Sequence, residues 1–525
     1  MKHFFVLIII FTLFLSCQTK QQNITSASQL IPETSDVILK INDLETFRSD
    51  IKNNAFTASF KPLKFSNLLS KKNNILENLN TTNPLYICLE NKNDSLQFTL
   101  ITRLKDSLFT KDLDTTYFFT KTIDSIFIGS TSRTVLSKVE AKKNQPFSDS
   151  FKTTNSKKTF SILLPKKATD SLTNQLLGIK NNKFSNFLTL DSEVSHDKIL
   201  FNGITSSIDT IPNLLDVFNQ NIPQENSLQN IIPEDFESAI SITFSNYETF
   251  NNKLKKALNK KKDSIVDFDI FETINEVGKI SIDNQNIIAL HSLDANATNE
   301  FLNLNRSKLN TFRDVDIFEF TNDSIFKNSF EPFFKLDSVI QYVNLDEFFV
   351  FAKQSEILEK IISSYKNGSV LSQSNQFKDA FSNLSDESSI LVFTNNNSLK
   401  SKLSNLFNLD DLPSLKNYKL SAFQFIKDDT FSHFNAVIHK NKSLVSSNSI
   451  SEEFSVKLDA DIIMPPQFVK NHKTRQYDIV VQDVNNNLYL ISNKGKVLWK
   501  KALHGNILGK IEQVDLYKNG RLQLA

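Results

Sequence analysis

The sequence predicts an α+β fold: two tandem copies of an antiparallel-sheet-plus-helices domain, followed by a shorter all-β segment. Three observations carry that expectation. "LIPETSDVILKINDLETFRSDI" (30–51) and "IIPEDFESAISITFSNYETFNNKL" (231–254) share a Pro-Glu turn, an alternating strand and a closing Glu-Thr-Phe. Further landmarks then recur in the same order about two hundred residues apart. Beyond residue 455 the composition changes, with four of the nine glycines and the only tryptophan in that stretch.

The chain of 525 residues has room for several domains, and its 40% hydrophobic content allows a sizeable core. Lys+Arg 60 against Asp+Glu 58 gives no electrostatic case for nucleic acid as a partner. At the N-terminus, Lys2 and His3 precede an apolar run from Phe4 to Leu15, then Ser16 and Cys17. The run is shorter than the ~20 apolar residues that span a bilayer, and it has the layout of a secretory signal. Phe14-Leu15-Ser16-Cys17 resembles the lipobox of bacterial lipoproteins, although Phe14 stands where leucine is usual. That resemblance implies cleavage after residue 16, acylation of Cys17 and a lipid-anchored partner membrane. Gln18 in place of aspartate, with no acidic cluster after it, points to the periplasmic face of the outer membrane. Residues 17–29 read as a polar tether. Cys88, in "PLYICLEN", is left without a disulfide partner and reads as a core thiol.

The repeats are placed at 30–226 and 227–446. In each, helical spacing follows the Glu-Thr-Phe: Phe47, Ile51 and Ala55, then Phe250, Leu254 and Leu258. Asp43 and Asn246 stand where N-caps belong, with Glu45 and Glu248 at the positive helix end. "FIGSTSRTVLSKV" (127–139) corresponds to "FVFAKQSEILEKI" (349–361), "FSDSF" (147–151) to "FKDAF" (377–381), and "SILL" (161–164) to "SILV" (389–392). Each copy is expected to be a mainly antiparallel sheet with helices on one face.

Between these landmarks Asp-Ser or Asp-Thr precedes an aliphatic residue or threonine again and again. Asx- and ST-turns leading into strands explain it. The pattern is also similar to the O-glycosylation signal of periplasmic proteins in one group of Gram-negative bacteria. That resemblance makes Ser95, Ser107, Thr115, Ser125, Ser171, Thr210, Ser264, Ser324 and Ser338 candidate acceptors. Both readings favour exposed turns.

Residues 447–457 read as a Ser-rich linker, and 458–525 as a different kind of unit. "YDIVVQDVNNNLYLISNKGKVLWKKAL" is similar to blades of quinoprotein-type and outer-membrane-assembly propellers, through its strand–Asn/Gly turn–strand rhythm and its G-K-x-L-W. Lys518-Asn519-Gly520 marks a further hairpin. One blade and part of another fit here, against about 4 to 8 in a propeller, so an incomplete β-propeller is expected. A shortened chain is the expected explanation, with a natural minimal tail and completion by another chain as the alternatives. Trp499 is expected to pack its ring on neighbouring strands.

A search for chemistry finds little. His433 and His439 share one face of a strand and read as solvent-facing imidazoles; the other histidines are isolated. Ser363-Ser364-Tyr365-Lys366 satisfies S-x-x-K, a match expected by chance in so Ser- and Lys-rich a chain. "KLKKALNKKKDS" (253–264) reads as a solvated helix end, with anionic lipid as the competing reading. No metal or cofactor site is expected. The whole arrangement resembles uncharacterised envelope lipoproteins of Gram-negative bacteria with a duplicated α+β region ahead of a propeller. The expected role is binding or scaffolding of another envelope protein, without catalysis; the alternative is a periplasmic hydrolase whose site no motif reveals.

Overall fold

The computed structural model of the chain describes residues 25–59, 75–92, 95–104, 107–110, 117–141, 148–206, 213–258, 269–303, 306–321, 326, 329–334, 341–407, 412–440 and 454–525. The fold is α+β, built on a large antiparallel sheet. Its first half contributes β1 (Val37–Ile41), β2 (Leu85–Lys92), β3 (Ser95–Arg103), β4 (Phe119–Ile123), β5 (Ile126–Ser130), β6 (Phe160–Pro165), β7 (Phe187–Val194) and β8 (Lys198–Ser206). The short β9 (Gln224–Glu225) precedes the second half. There follow β10 (Ser238–Thr243), β11 (Ile274–Ile282), β12 (Gln285–Ser292), β13 (Arg306–Phe312), β14 (Val315–Phe320), β15 (Gln341–Leu345) and β16 (Phe348–Ala352). Then come β17 (Glu387–Ser388), β18 (Ile390–Thr394), β19 (Ser421–Lys427) and β20 (Phe431–His439).

Ladder pairings set the order β4-β5-β3-β2-β1-β6-β7-β8 in the first half. In the second half it is β13-β14-β15-β16-β12-β11-β10-β18-β19-β20. The β13–β14 hairpin apart, the two orders run in step. β8 pairs with β20 over nine residues, so the halves share one 18-stranded sheet. β9 and β17 form a separate two-stranded ladder, in which residues before 227 pair with the second half.

Local chemistry explains many element ends. Asp43 accepts from the Thr46 N–H at 2.6 Å and Asn246 from the Thr249 N–H at 2.7 Å, capping the helices Leu44–Asn53 and Tyr247–Ala257. Gly178 and Gly368 end the helices Lys166–Leu177 and Ser355–Asn367 with left-handed φ of 66° and 68°. Asp283-Asn284 and Arg313-Asp314 both carry positive φ at the tips of two-residue hairpin turns.

Helices cover both faces of the sheet, correcting the expectation of one covered face. On one side, Phe250 and Leu254 and the helix end Leu176-Leu177 pack with Ile242, Val277, Phe349 and Phe425. On the other, Ile357, Leu358, Ile361 and Ile362 pack with Ala239, Ile280, Val350 and Phe393. The helices Arg133–Lys138 and Ser148–Lys152 cover that second side in the first half, through Leu136 and Phe151. The physical reason lies in the strands: β16 is buried at all five positions, which one covered face cannot achieve. Lys402 Nζ donates to the carbonyls of Gln175 and Leu176 at 2.9 and 3.0 Å, tying the helix Asn396–Phe407 to the end of Lys166–Leu177.

The tail forms a four-stranded antiparallel sheet, β21 (Gln467–Lys470), β22 (Tyr477–Gln482), β23 (Asn487–Ile491) and β24 (Val497–Ala502). No closed propeller or barrel is present among the described residues. Ala27, Ser28 and Gln29, read as the end of the tether, lie in a 3₁₀ turn that continues to the buried Leu30, and Phe454 and Val456, read as linker, pack on the tail sheet. Among the described residues no helix is long and apolar enough to cross a membrane.

Candidate functional site

A cleft lies on the second half, where the β15–β16 hairpin meets the C-terminal end of the helix Ser355–Asn367. Its volume is about 560 Å³, and its lining includes Asn230, Asp346, Glu347, Phe348, Tyr365 and Gln373. The sequence builds it in steps. Asp346, at φ 54°, turns the hairpin and puts two acidic side chains at its tip. The apolar stripe of the helix fixes its rotation and brings Tyr365 over that tip, where its hydroxyl donates to Asp346 Oδ2. Gly368 reverses the chain, and the Leu371 N–H donates to Ile232 O at 2.8 Å, closing the far wall.

Beneath the cleft runs a polar row across the sheet. His291 stands opposite Glu276 on β11 and Phe348 on β16. Its Nδ1 lies 2.8 Å from Asn275 Oδ1, its Nε2 3.3 Å from Glu347 Oε2, and its ring 4.8 Å from that of Phe348. Glu276 is fully enclosed, and its carboxylate accepts from the Ser241 hydroxyl and from the Ser227 and Leu228 N–H groups at 2.8 and 3.3 Å. Burial pushes Glu276 above the usual carboxylate range. Tyr365 is pushed up to about 12, by desolvation and then by the bonded Asp346 carboxylate.

Such a site offers carboxylate and amide oxygens, a phenol and an aromatic floor. That chemistry is suited to a hydroxyl- or amine-bearing group. Among the described residues no three His, Cys, Asp or Glu side chains gather to hold a metal.

The candidates named from sequence are scattered. Cys17, Thr115, Thr210, Ser264, Ser324 and Ser338 lie outside the described residues. Ser95 begins β3. Ser107 and Ser125 are exposed at turns, Ser107 with φ 59° and Ser125 after Asp124 at φ 45°. Ser171 departs from the turn reading: it is exposed on the helix Lys166–Leu177, where Asp170 Oδ1 accepts from the Phe184 N–H at 2.7 Å. Cys88 is buried on β2, and burial pushes its thiol up to about 12, far from a reactive thiolate.

His433 is exposed, but His439 is not solvent-facing. It lies 3.7 Å from Asp197, whose carboxyl is held down to about 2, first of all by its polar contact with His439. Ser363 and Lys366 share the cleft helix, with Lys366 exposed on its last turn. Tyr365, between them, is the residue of that motif that reaches the cleft. Lys253, Lys255 and Lys256 end the helix Tyr247–Ala257, and residues 259–264 lie outside the described residues.

Comparison with known proteins adds little chemistry. Residues 272–464 match a family described as "Protein of unknown function (DUF3352)", a stretch that contains His291, Asp346, Glu347 and Tyr365. No curated protein matches the chain. A solved structure titled "Structure of crystal form I of TP0453" is similar at 11% identity, covering 37% of this chain and 84% of that one, with a TM-score of 0.23. A likeness of that size carries no argument.

Proposed function

We propose that the protein is a lipid-anchored envelope protein that binds another envelope component through the cleft of its second half. The supporting observation is that cleft, which Asp346, Glu347, Phe348 and Tyr365 line and whose volume of about 560 Å³ leaves room for a ligand group. The decisive experiment is cross-linking in intact membranes. A component captured by the native protein should be lost from the Glu347→Lys variant. Equal recovery by both would sink the reading.

The anchor rests on Phe14-Leu15-Ser16-Cys17, and its address is the periplasmic face of the outer membrane. Cys17→Ser should block processing or release the chain from the membrane; unchanged processing and fractionation would refute it. One contact favours the hydrolase as a second reading, that of His291 Nε2 with Glu347 at the cleft edge. A hydrolytic activity lost in His291→Ala, with capture intact, would select it.

Three finer assignments belong with this proposal. The two halves are copies of one domain, supported by their parallel strand orders; a superposition that separates Phe47 from Phe250 would remove the claim. The β21–β24 sheet is one propeller blade, supported by its hairpin turns at residues 484–486 and 493–495; a structure of the protein with its partner that shows no further blades around it would remove that. Exposed Ser107, Ser125 and Ser171 are O-glycosylated in a host with that machinery, which intact mass measurement tests.

A further inference from the structure

Charge and apolar surface are unevenly distributed along the chain. Residues 467–525 carry ten Lys and Arg against four Asp and Glu, in a chain balanced at 60 against 58. The same region gathers the exposed large apolar side chains: of sixteen among the described residues, eleven lie within residues 462–517. Patches of that kind mark interaction sites.

One side of the tail sheet is already occupied. Ile479, Tyr489 and Val497 pack with Phe454 and Leu458, and Lys52 and Lys496 tie that side to the helix Leu44–Asn53. Over the other side lies residues 503–525, with Ile507, Ile511 and Leu524 turned inward onto Val480 and Leu488. Its remaining apolar side chains are exposed: Leu508 at 99%, Leu516 at 70% and Tyr517 at 71%. On the edge strand β24, Trp499 pairs with Leu490 of the same inner cluster and stays 38% exposed. Lys501 is exposed two residues from Trp499 on β24, and Lys518 and Arg521 are exposed in the segment after Leu516 and Tyr517; none of the three makes an ion pair among the described residues.

We propose that this face of the tail is a second membrane contact, seated on an anionic lipid surface. Trp499 and Tyr517 would lie at headgroup level, where amphipathic rings settle. Leu508 and Leu516 would enter the acyl boundary, and Lys501, Lys518 and Arg521 would meet lipid phosphates. Two features select lipid over other occupants. Lysine is depleted from the cores of protein interfaces, whereas here a lysine stands within two residues of Trp499, Leu508, Leu516 and Tyr517. Nucleic acid would use the cations, but it gives a fully exposed Leu508 nothing to bury against. The inference shares with the proposed function the premise of a membrane at hand and competes with the blade assignment for the exposed side of the tail, and its test reads the tail apart from the anchor.

Trp499 is the only tryptophan in the chain, so the intrinsic fluorescence of the full protein reports this face. The protein would be mixed with vesicles of brominated lipid, with and without anionic phospholipid. Emission should shift to the blue and be quenched with the anionic vesicles alone. In Lys501→Gln/Lys518→Gln the apparent affinity should fall roughly twenty-five-fold, at about fivefold for each lysine. Leu508→Ser, at a site that leaves the core untouched, should weaken the quenching. Identical emission in both vesicle types, quenching indifferent to these variants, or a shift produced by duplex DNA or a protein partner instead would overturn the proposal. An acyl anchor holds the chain to either vesicle, so failure here leaves the Cys17→Ser result to be judged by itself.

Discussion

Asn202 and Asn435 face each other at the midpoint of the nine-pair ladder between β8 and β20, where Asn202 Nδ2 donates to Asn435 Oδ1 at 2.9 Å. The midpoint of an antiparallel ladder is where a two-fold axis would cross it. The flanking residues agree across that point: Phe201-Asn202-Gly203 on one strand, Phe434-Asn435-Ala436 on the other. Asn435 continues inward, donating to Gln424 Oε1 at 3.1 Å, and Gln424 is fully buried against the Ser385 backbone. The junction of the halves thus joins a ladder of mixed apolar and polar pairs to a short polar chain.

That chain predicts unequal losses from like substitutions. Asn435→Ala removes two hydrogen bonds, one of them to a buried amide, and should destabilise by about 1–2 kcal/mol. Asn202→Ala removes one bond at an exposed position and should cost about 0.5 kcal/mol. Urea denaturation of the two variants tests the order; equal losses would mean that the Gln424 link contributes nothing.

The tail is held to the first half by charge. Asp459 bridges Lys52 at 2.8 Å and Lys500 at 3.0 Å, and Lys496 lies 3.4 Å from the buried Asp50. The hydrogen bond from Lys52, with that from Lys500, holds the Asp459 carboxyl down to about 2. A depressed carboxylate stabilises above its unfolded value and loses the contribution as pH falls. The clip should therefore be whole above about pH 4 and gone near pH 2. Asp459 is more than half exposed, so the loss is under about 1 kcal/mol after solvent screening. Hydrogen exchange in residues 44–53 and 454–458 should rise over that window in the native chain. In Asp459→Asn it should already be raised at neutral pH.

Glu276 behaves in the opposite sense. Burial raises it, so the folded chain binds its proton more readily than the unfolded chain does. Its contribution to stability therefore declines as pH rises past the ordinary glutamate range. Glu276→Ala leaves the Ser241 hydroxyl and the Ser227 and Leu228 N–H groups without their acceptor, and should cost about 3 kcal/mol or more. Denaturation profiles across pH should show the native slope flattened in the variant. A variant as stable as the native chain at pH 7 would show that water replaces the carboxylate.

What was legible in the sequence was local. Asp43 and Asn246 cap their helices through Thr46 and Thr249, because a cap is decided within three residues. The tail hairpins were legible for the same reason: Asn-rich and Gly-containing turns between alternating strands. The union of the halves was not, since β8 and β20 meet across more than two hundred residues and nothing in either strand names its partner. The second layer of helices has a signal in the sequence: "FFVFA" is apolar at every position, and such a run is buried on both faces. The cleft had none. Asp346-Glu347 reads as an ordinary turn, and only the rotation of the helix Ser355–Asn367 brings Tyr365 to it. Asp170-Ser171 carries the same letters as the turn-forming pairs, yet tertiary packing sets it in a helix.

Gly203 gives the last test, because its counterpart across the junction is already an alanine. Gly203 pairs with Phe434, next to the central asparagines, and with Leu190 on β7. A Cβ added there would come within 1.9 Å of Thr189 O and 2.8 Å of Thr189 C, both backbone atoms. No rotamer relieves a clash with backbone, so β7 and β8 must separate. Ala436 holds the corresponding place on β20 with its methyl group buried at 2% exposure. Gly203→Ala should destabilise by about 2–3 kcal/mol, at the upper end of overpacking. Ala436→Gly should cost only about 1 kcal/mol, the usual backbone-entropy difference with a little lost burial. Thermal melts of both variants measure this. If the two changes cost the same, the close approach of β7 to β8 is not what requires glycine at 203.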